Sequence, residues 1–559
     1  MGKRKKSLSM LLCAVLMTGL LAACSSKNDN AGSSEPAATG SASPSASASE
    51  SAGESPSAEA PSTEPITFDM FVNFSWYALS WADPAAKNIT DKTGVTLNIT
   101  KPVSDDNQKM NIMLSNRELT DFVLLDKADP ALQRMIEGDM LYSLEELIDQ
   151  YAPEMRDVLP KEALANYKAS DGKTYALVSF IEGEQYVEAA KKYNALIGSN
   201  QPTWSIRQDY WEEIGKPDIS DPDSYIAALE QIQAKHKDKI GFYTNANNIP
   251  NSKHLSESGI VTLGTSAMFG AQALVEEGGA IKSGLRSAEY QNVIKFLNKL
   301  STKGLLTKDS YIDSKDIFTQ KINNGDAVSY AFTIGDGTKV PADNPNTSYT
   351  VMAPFPSYKQ VRDGSGWTAI AIPKTNKDPK RAIQFLSFLS SEEGHKLTKW
   401  GVEGETYVDA AQGPHYRMVD GKATYLPEYW AEKQKDWSGV AEKNGLSEYW
   451  LTANSTWWNG PEWDAADPKF AEYNKMFADY VEYDPAKAGI TLDSTTKIGI
   501  VEKKIIDLYT SYYSKIIFAK DEATAMELYA EFIEKADKLG LADVEQAWTD
   551  IYKAKNANK

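Results

Sequence analysis

The hydrophobic and polar positions of the chain fall into three unlike stretches. Leu8 to Leu21 is an apolar run behind the basic start Lys3-Arg4-Lys5-Lys6, and it closes on Leu21-Ala22-Ala23-Cys24. That order predicts a secretory signal, too short for a permanent transmembrane helix. From Ser25 to Pro65 there is no Val, Ile, Leu, Met, Phe, Tyr or Trp. A segment with nothing apolar to bury cannot offset its ordering entropy, so a disordered Ser/Ala/Pro/Glu tether is expected over 25–65. Beyond it the pattern turns periodic.

Ile66, Phe68, Met70 and Val72 alternate with their neighbours, a strand signal. A helical stretch over Asp83 to Thr93 ends at Gly94. Val95 to Ile99 predicts a second strand, Asp106 to Ser115 a second helix and Asp121 to Leu125 a third strand. Strand, helix, strand, helix, strand is the grammar of a parallel sheet covered by helices. Pro222 to Lys237 and Ala288 to Lys303 read as helices, and Ala327 to Phe332 and Tyr349 to Ala353 as short strands. Trp367 to Ile372 is a strand stopped by Pro373. Asp378 to Trp400 then predicts one amphipathic helix with Ile383, Leu386, Leu389 and Leu397 inward, and the chain ends in helices over 494–518, 521–539 and 541–554.

Composition narrows the chemistry. The only cysteines are Cys13, inside the signal, and Cys24, so the folded part can have no disulfide, cysteine zinc site or cysteine nucleophile. The formal net charge is −18, more acidic still once Lys3 to Lys6 leave with the signal. That argues against a nucleic-acid partner, whose binding rests on Lys and Arg meeting phosphates. Four histidines (His236, His254, His395 and His415) are widely spaced, and none falls in a metal-binding motif. No nucleophile elbow, phosphate-binding loop or dinucleotide fingerprint is present. With 77 acidic residues a glycosidase-like carboxylate pair arises easily by chance, and Asp218, Asp221 and Asp223 are explained by helix capping.

Aromatic residues stand out, with 13 Trp and 28 Tyr. Ligands of open α/β sheets bind outside the carboxyl ends of the strands. The loop Asn73 to Asp83 leaves the first strand there and carries Trp76, Tyr77 and Trp81. These rings either pack over the sheet edge or line a cleft. Six further Trp (430, 437, 450, 457, 458 and 463) fall close together; Trp457 and Trp458 either line the cleft or plug the space between C-terminal helices.

Several segments carry a family resemblance. They are Asp91-Lys92-Thr93-Gly94-Val95, Glu118-Leu119-Thr120-Asp121, Asp171 to Leu177, Ile206-Arg207-Gln208-Asp209-Tyr210, Ile370 to Pro373, Pro379 to Ala382, Phe388 to Gly394 and Trp400 to Tyr407. In this order, behind a segment resembling a bacterial lipobox, the chain resembles a family-1 extracellular solute-binding lipoprotein of an ABC importer, in the long Gram-positive subfamily. Thr120, where the family usually has proline, is a departure. The resemblance implies an α/β, two-lobe periplasmic-binding-protein-like (class II) fold with hinge strands and extra C-terminal helices. Its parts would be a signal and lipobox over 1–24, the tether over 25–65, lobe 1 over 66–185 and 351–405, and lobe 2 over 186–350 and 406–559.

The same resemblance implies a non-enzymatic monomer that needs no cofactor. It would capture an oligosaccharide between its lobes, deliver it to membrane permease subunits and be held to the membrane by lipid on Cys24. A coil as long as the tether spans about 35 Å. Flat rings cover the apolar face of a sugar while charged and amide groups bind its hydroxyls. The expected ligand contacts are Trp76, Trp81, Asp121, Arg207, Trp367, Glu403 and Tyr407. Trp367 can instead be sheet packing, Arg207 can pair with Asp209, and Glu403 can orient its own loop. Some members of the family carry a calcium loop after the helix that ends here near Lys237, but Lys235-His236-Lys237-Asp238-Lys239 puts cations where carboxylates are needed, so no calcium is expected there. Competing functions are a binding protein for a peptide or other polar solute, a surface polysaccharide-degrading enzyme, and a lipoprotein that senses or adheres without transport.

Overall fold

The computed structural model describes residues 62–104, 107–165, 167–169, 171–181, 201–244, 254–257, 264–313, 315–334, 339–362, 364–420, 422–446, 449, 451, 468–487, 489–493 and 495–557. Cys24, nearly all of the tether, and Trp450, Trp457, Trp458 and Trp463 lie outside them.

The strands are β1 (Ile66–Val72), β2 (Val95–Thr100), β3 (Phe122–Asp126), β4 (Ala176–Val178), β5 (Pro202–Arg207), β6 (Ile240–Thr244), β7 (Leu274–Glu277), β8 (Ala280–Ser283), β9 (Ala327–Thr333), β10 (Tyr349–Val351), β11 (Gln360–Arg362), β12 (Thr368–Ala371), β13 (Tyr416–Val419), β14 (Lys422–Tyr425) and β15 (Val481–Tyr483). Lobe 1 is built on the sheet β2-β1-β3-β12-β4 and lobe 2 on the sheet β10-β5-β9-β6. In lobe 1, β1 runs parallel to β2 and β3, while β12 returns antiparallel to β3 and β4. The βαβ grammar of the first sixty periodic residues accounts for this. The helix Pro84–Thr93 is capped by Asp83, begins with proline and stops at Gly94, whose φ of 70° suits a residue without a side chain.

Each sheet has its own core. Lobe 1 packs Met70, Phe122, Leu124, Ile370, Ile383 and Leu386. Lobe 2 centres on Trp204, which stacks on Tyr225 at 4.6 Å and Phe296 at 5.0 Å. The helices Lys497–Ile517, Glu522–Leu539 and Leu541–Ala557 join that core through Tyr509, Phe532 and Trp548.

Two expectations need correcting. The helix read over Asp378 to Trp400 is interrupted: it runs Pro379–Ser390, and Ser391 is extended and caps a new turn by accepting from Gly394 N at 3.2 Å. A serine can end one helix and start the next because its hydroxyl replaces a backbone partner. The expected boundary at 405 also moves. Trp400, Tyr416, Tyr425, Tyr429, Trp430 and Val440 form a separate cluster that includes Ala85 of lobe 1. Tyr449 and Leu451 sit in the lobe 1 core, where the Tyr449 hydroxyl donates to Asp83. Among the described residues the packing after 405 is thus with lobe 1 as far as Leu451, and the next residue in the lobe 2 core is Phe477.

The segments joining the lobes run side by side. Ser179 N donates to Thr368 O at 3.0 Å, Gly366 N donates to Phe180 O at 2.8 Å, and Ile181 bridges Ser365. A side chain at 366 would collide with Ser179 and Phe180, so the close approach requires glycine. Among the described residues no helix is long and apolar enough to cross a membrane.

Candidate functional site: an aromatic pair at the strand ends of lobe 1

β1 and β3 end, and the antiparallel β12 begins, at one edge of the lobe 1 sheet. This edge receives Phe74 and Trp76 after β1, Lys127 after β3, and Trp367 before β12. Lys127 and Trp367 are cross-strand neighbours, with Lys127 N donating to Trp367 O at 2.9 Å. Trp76 stacks on Trp367 with ring centroids 6.0 Å apart and planes 27° apart. Phe74 backs both, 5.4 Å from Trp76 and 5.0 Å from Trp367. Phe74 is buried, but Trp76 and Trp367 stay 47% and 39% exposed. Two large rings left open to water beside each other, in a chain that buries most of its aromatics, are ready to cover an apolar face.

Polar groups lie against the same edge. Ser365 is two residues before Trp367. Lys127 Nζ donates to Ser365 Oγ at 2.5 Å and to Tyr167 OH at 3.3 Å. The hydroxyls of Tyr167 and Ser365 are also hydrogen-bonded to each other. Asn73 Nδ2 donates to Asn107 Oδ1 at 2.7 Å and Asp129 Oδ2 at 3.0 Å, which fixes the chain just before Phe74. Sequence reasoning missed Lys127, Tyr167 and Ser365. The usable signal for Lys127 was its place, immediately after a buried strand at the ligand-binding end.

The other expected contacts lie elsewhere. Trp81 is 7% exposed with φ of 63°, its Nε1 donates to Thr90 Oγ1 at 3.0 Å, and its ring abuts Phe385 and Tyr449. It is a core residue and turns no face outward. Asp121 immediately precedes β3, which puts it at the opposite edge of the sheet from the tryptophan pair. There it accepts from Asp69 N at 2.8 Å and Lys377 N at 2.9 Å and pairs with Lys377 Nζ at 3.0 Å.

Arg207 is buried in lobe 2 and spends its donors on Asp209 at 2.9 and 2.7 Å, Asp343 at 2.9 and 3.2 Å, and the Gly325 carbonyl. Burial works against its charge, and the Asp209 carboxylate overrides this to raise its pKa. Glu403 is exposed and accepts from Tyr416 OH at 3.4 Å; burial and then Glu403 push that phenol up to about 12. Tyr407 donates to Glu432 within the Trp400 cluster, and burial with that carboxylate raises its pKa. Of the seven expected contacts, the structure brings together Trp76 and Trp367. In the segment after the helix that ends at Lys235, Lys235 and His236 pair with Glu213 and Lys239 with Asp343.

A family model described as bacterial extracellular solute-binding protein matches residues 84–401. The chain belongs to the bacterial extracellular solute-binding protein family. The matched stretch holds Lys127, Tyr167, Ser365 and Trp367, while Trp76 lies just before it. A comparison with curated protein sequences finds no match. Solved solute-binding proteins share the two-lobe fold. FusA of Streptococcus pneumoniae, in complex with kestose, superimposes with a TM-score of 0.64 at 19% identity, covering 88% of this chain and all of that one. An HMO-binding, ABC-transporter-associated solute-binding protein from Bifidobacterium longum infantis gives 0.61 at 14% identity, covering 88% and 98%. The N-glycan transport protein NgtS of Streptococcus pneumoniae, in complex with Man5GlcNAc, gives 0.55 at 16% identity, covering 89% and 99%. At these identities the likeness is one of fold.

Proposed function

We propose that this solute-binding protein captures an oligosaccharide at the Trp76–Trp367 edge and hands it to an ABC importer, without turning it over. The observation that carries the reading is the stacked, half-exposed pair set beside the hydroxyl and ammonium groups of Tyr167, Ser365 and Lys127. A pyranose or furanose ring has an apolar C–H face and a rim of hydroxyls, and this edge offers a surface for each. FusA, NgtS and the HMO-binding protein share the fold and are described with sugars, which supports a glycan as the class of ligand. A lipid on Cys24 and a tether over 25–65 would keep the binding domain beside its permease, as a monomer with no nucleic-acid partner and no cofactor. A thermal-shift screen with kestose, alginate oligosaccharides and Man5GlcNAc tests this, since a ligand of the folded state raises the melting temperature. Peptides that shift the transition when no glycan does would replace the substrate class; new reducing ends or unsaturated products would replace binding with catalysis.

A further inference from the structure

One buried imidazole ties the two lobes. His254 is 1% exposed, and the next residue, Leu255, belongs to the lobe 2 core. Its Nδ1 lies 2.9 Å from Glu502 Oε2 on the helix Lys497–Ile517, and its Nε2 lies 2.9 Å from the carbonyl oxygen of Ala128 in lobe 1. Both partners are acceptors. A neutral imidazole has one N–H and one bare nitrogen, so it would set a lone pair against one of these oxygens. An imidazolium facing a carboxylate satisfies both contacts.

The surroundings suit that state. Glu502 is 2% exposed and also accepts from Leu255 N at 3.2 Å; Glu257, from the same turn as His254, accepts from His254 N at 3.1 Å. From lobe 1 the group facing the ring is the Ala128 carbonyl. Its neighbours are otherwise engaged: Lys127 with Ser365 and Tyr167, and Asp129 with Ala131 N and Asn73. The contact thus lands on the residue between Lys127 and Asp129, at the strand end that carries the aromatic pair.

We propose that His254 is a positioning residue for the lobes, and that as an imidazolium it fastens lobe 2 to the end of β3, so that the arrangement of the lobes depends on one proton. Burial alone would pull the ring's pKa down, but Glu502, Glu257 and the Ala128 carbonyl override it and the net direction is up. The contact is therefore fully present below the ordinary histidine range and is lost as pH rises through the raised value.

The test needs no glycan, so its failure is separate from failure of the sugar reading. The full chain carries four histidines, and His254→Gln identifies the signal of interest. Imidazole nitrogen NMR is expected to show His254 holding its second proton to a higher pH than an ordinary histidine. Small-angle scattering is expected to show a radius of gyration that grows as pH rises through the His254 titration in the wild type but not in His254→Gln. Glu502→Gln, which keeps the ring, should move that growth to lower pH. A His254 that loses its proton no higher than an ordinary histidine, or a wild-type scattering profile that does not change with pH, overturns the proposal.

Discussion

Trp76 and Trp367 enter the same edge from distant parts of the chain and meet at 6.0 Å, each ring still substantially exposed. Neither ring is needed to fill the lobe 1 core, so substitution should separate binding from stability. Trp76→Phe keeps a flat ring and should retain most of the glycan affinity. Trp76→Ala should weaken it by tenfold or more, since a lost aromatic anchor costs on the order of 2 kcal/mol. Isothermal titration beside a melting curve checks both, and the melting temperature should scarcely move in either variant.

Trp81 is the opposite case. Its ring fills lobe 1 between Phe385 and Tyr449, so Trp81→Ala should cost about 3–5 kcal/mol. Urea unfolding measures this loss, while the affinity of the fraction that stays folded should match the wild type. A variant that folds normally but binds weakly would return Trp81 to the ligand site.

Arg207 holds two carboxylates together in lobe 2. Arg207→Ala leaves Asp209 without its cation and Asp343 with Lys239 alone, at a cost of about 3 kcal/mol. Both carboxylate side chains keep some exposure, 24% and 30%, which sets this at the low end for a buried network. Arg207→Lys should recover only part, because one ammonium cannot replace two forked contacts. Chemical denaturation of the three proteins gives the order, and glycan affinity should not follow it.

His395 gives stability a pH dependence of opposite sign to that of His254. Burial, with a smaller push from Lys399, lowers its pKa from the ordinary 6.5 to about 3. Between those values the unfolded chain binds a proton that the folded chain refuses, so stability falls as pH drops below 6.5. The loss is at most about 1.4 kcal/mol per pH unit from this group. His395→Gln should flatten the acid side of a stability–pH curve measured by urea unfolding.

The sequence made the sheet grammar of lobe 1 legible because its strands and caps are local signals: the alternation from Ile66, the Asp83 and Gly94 helix ends, and the stop at Pro373. At the candidate site Trp76 and Trp367 were legible and the polar groups beside them were not. Trp76 and Trp81 are equally aromatic and share a loop; only the left-handed turn at Trp81 and its bond to Thr90 decide which ring goes inside. Asp121 was misplaced because it stands at the beginning of its strand, not at the ligand-binding end. Lys127, Tyr167 and Ser365 converge from three separate segments, and no spacing rule connects them. The tyrosine anchoring the 406–451 stretch to lobe 1, Tyr449, finds Asp83 across most of the chain, which periodicity does not report.

We propose the exposed tryptophan pair as the glycan platform. Its most direct test is titration of the wild type and the Trp76→Ala/Trp367→Ala double variant with the best saccharide from the thermal-shift screen. Measurable affinity is expected in the wild type, with a loss of about a hundredfold or more in the double variant and nearly equal melting temperatures without ligand. Unchanged affinity in the double variant, or a wild type that binds no saccharide at millimolar concentration, would contradict it.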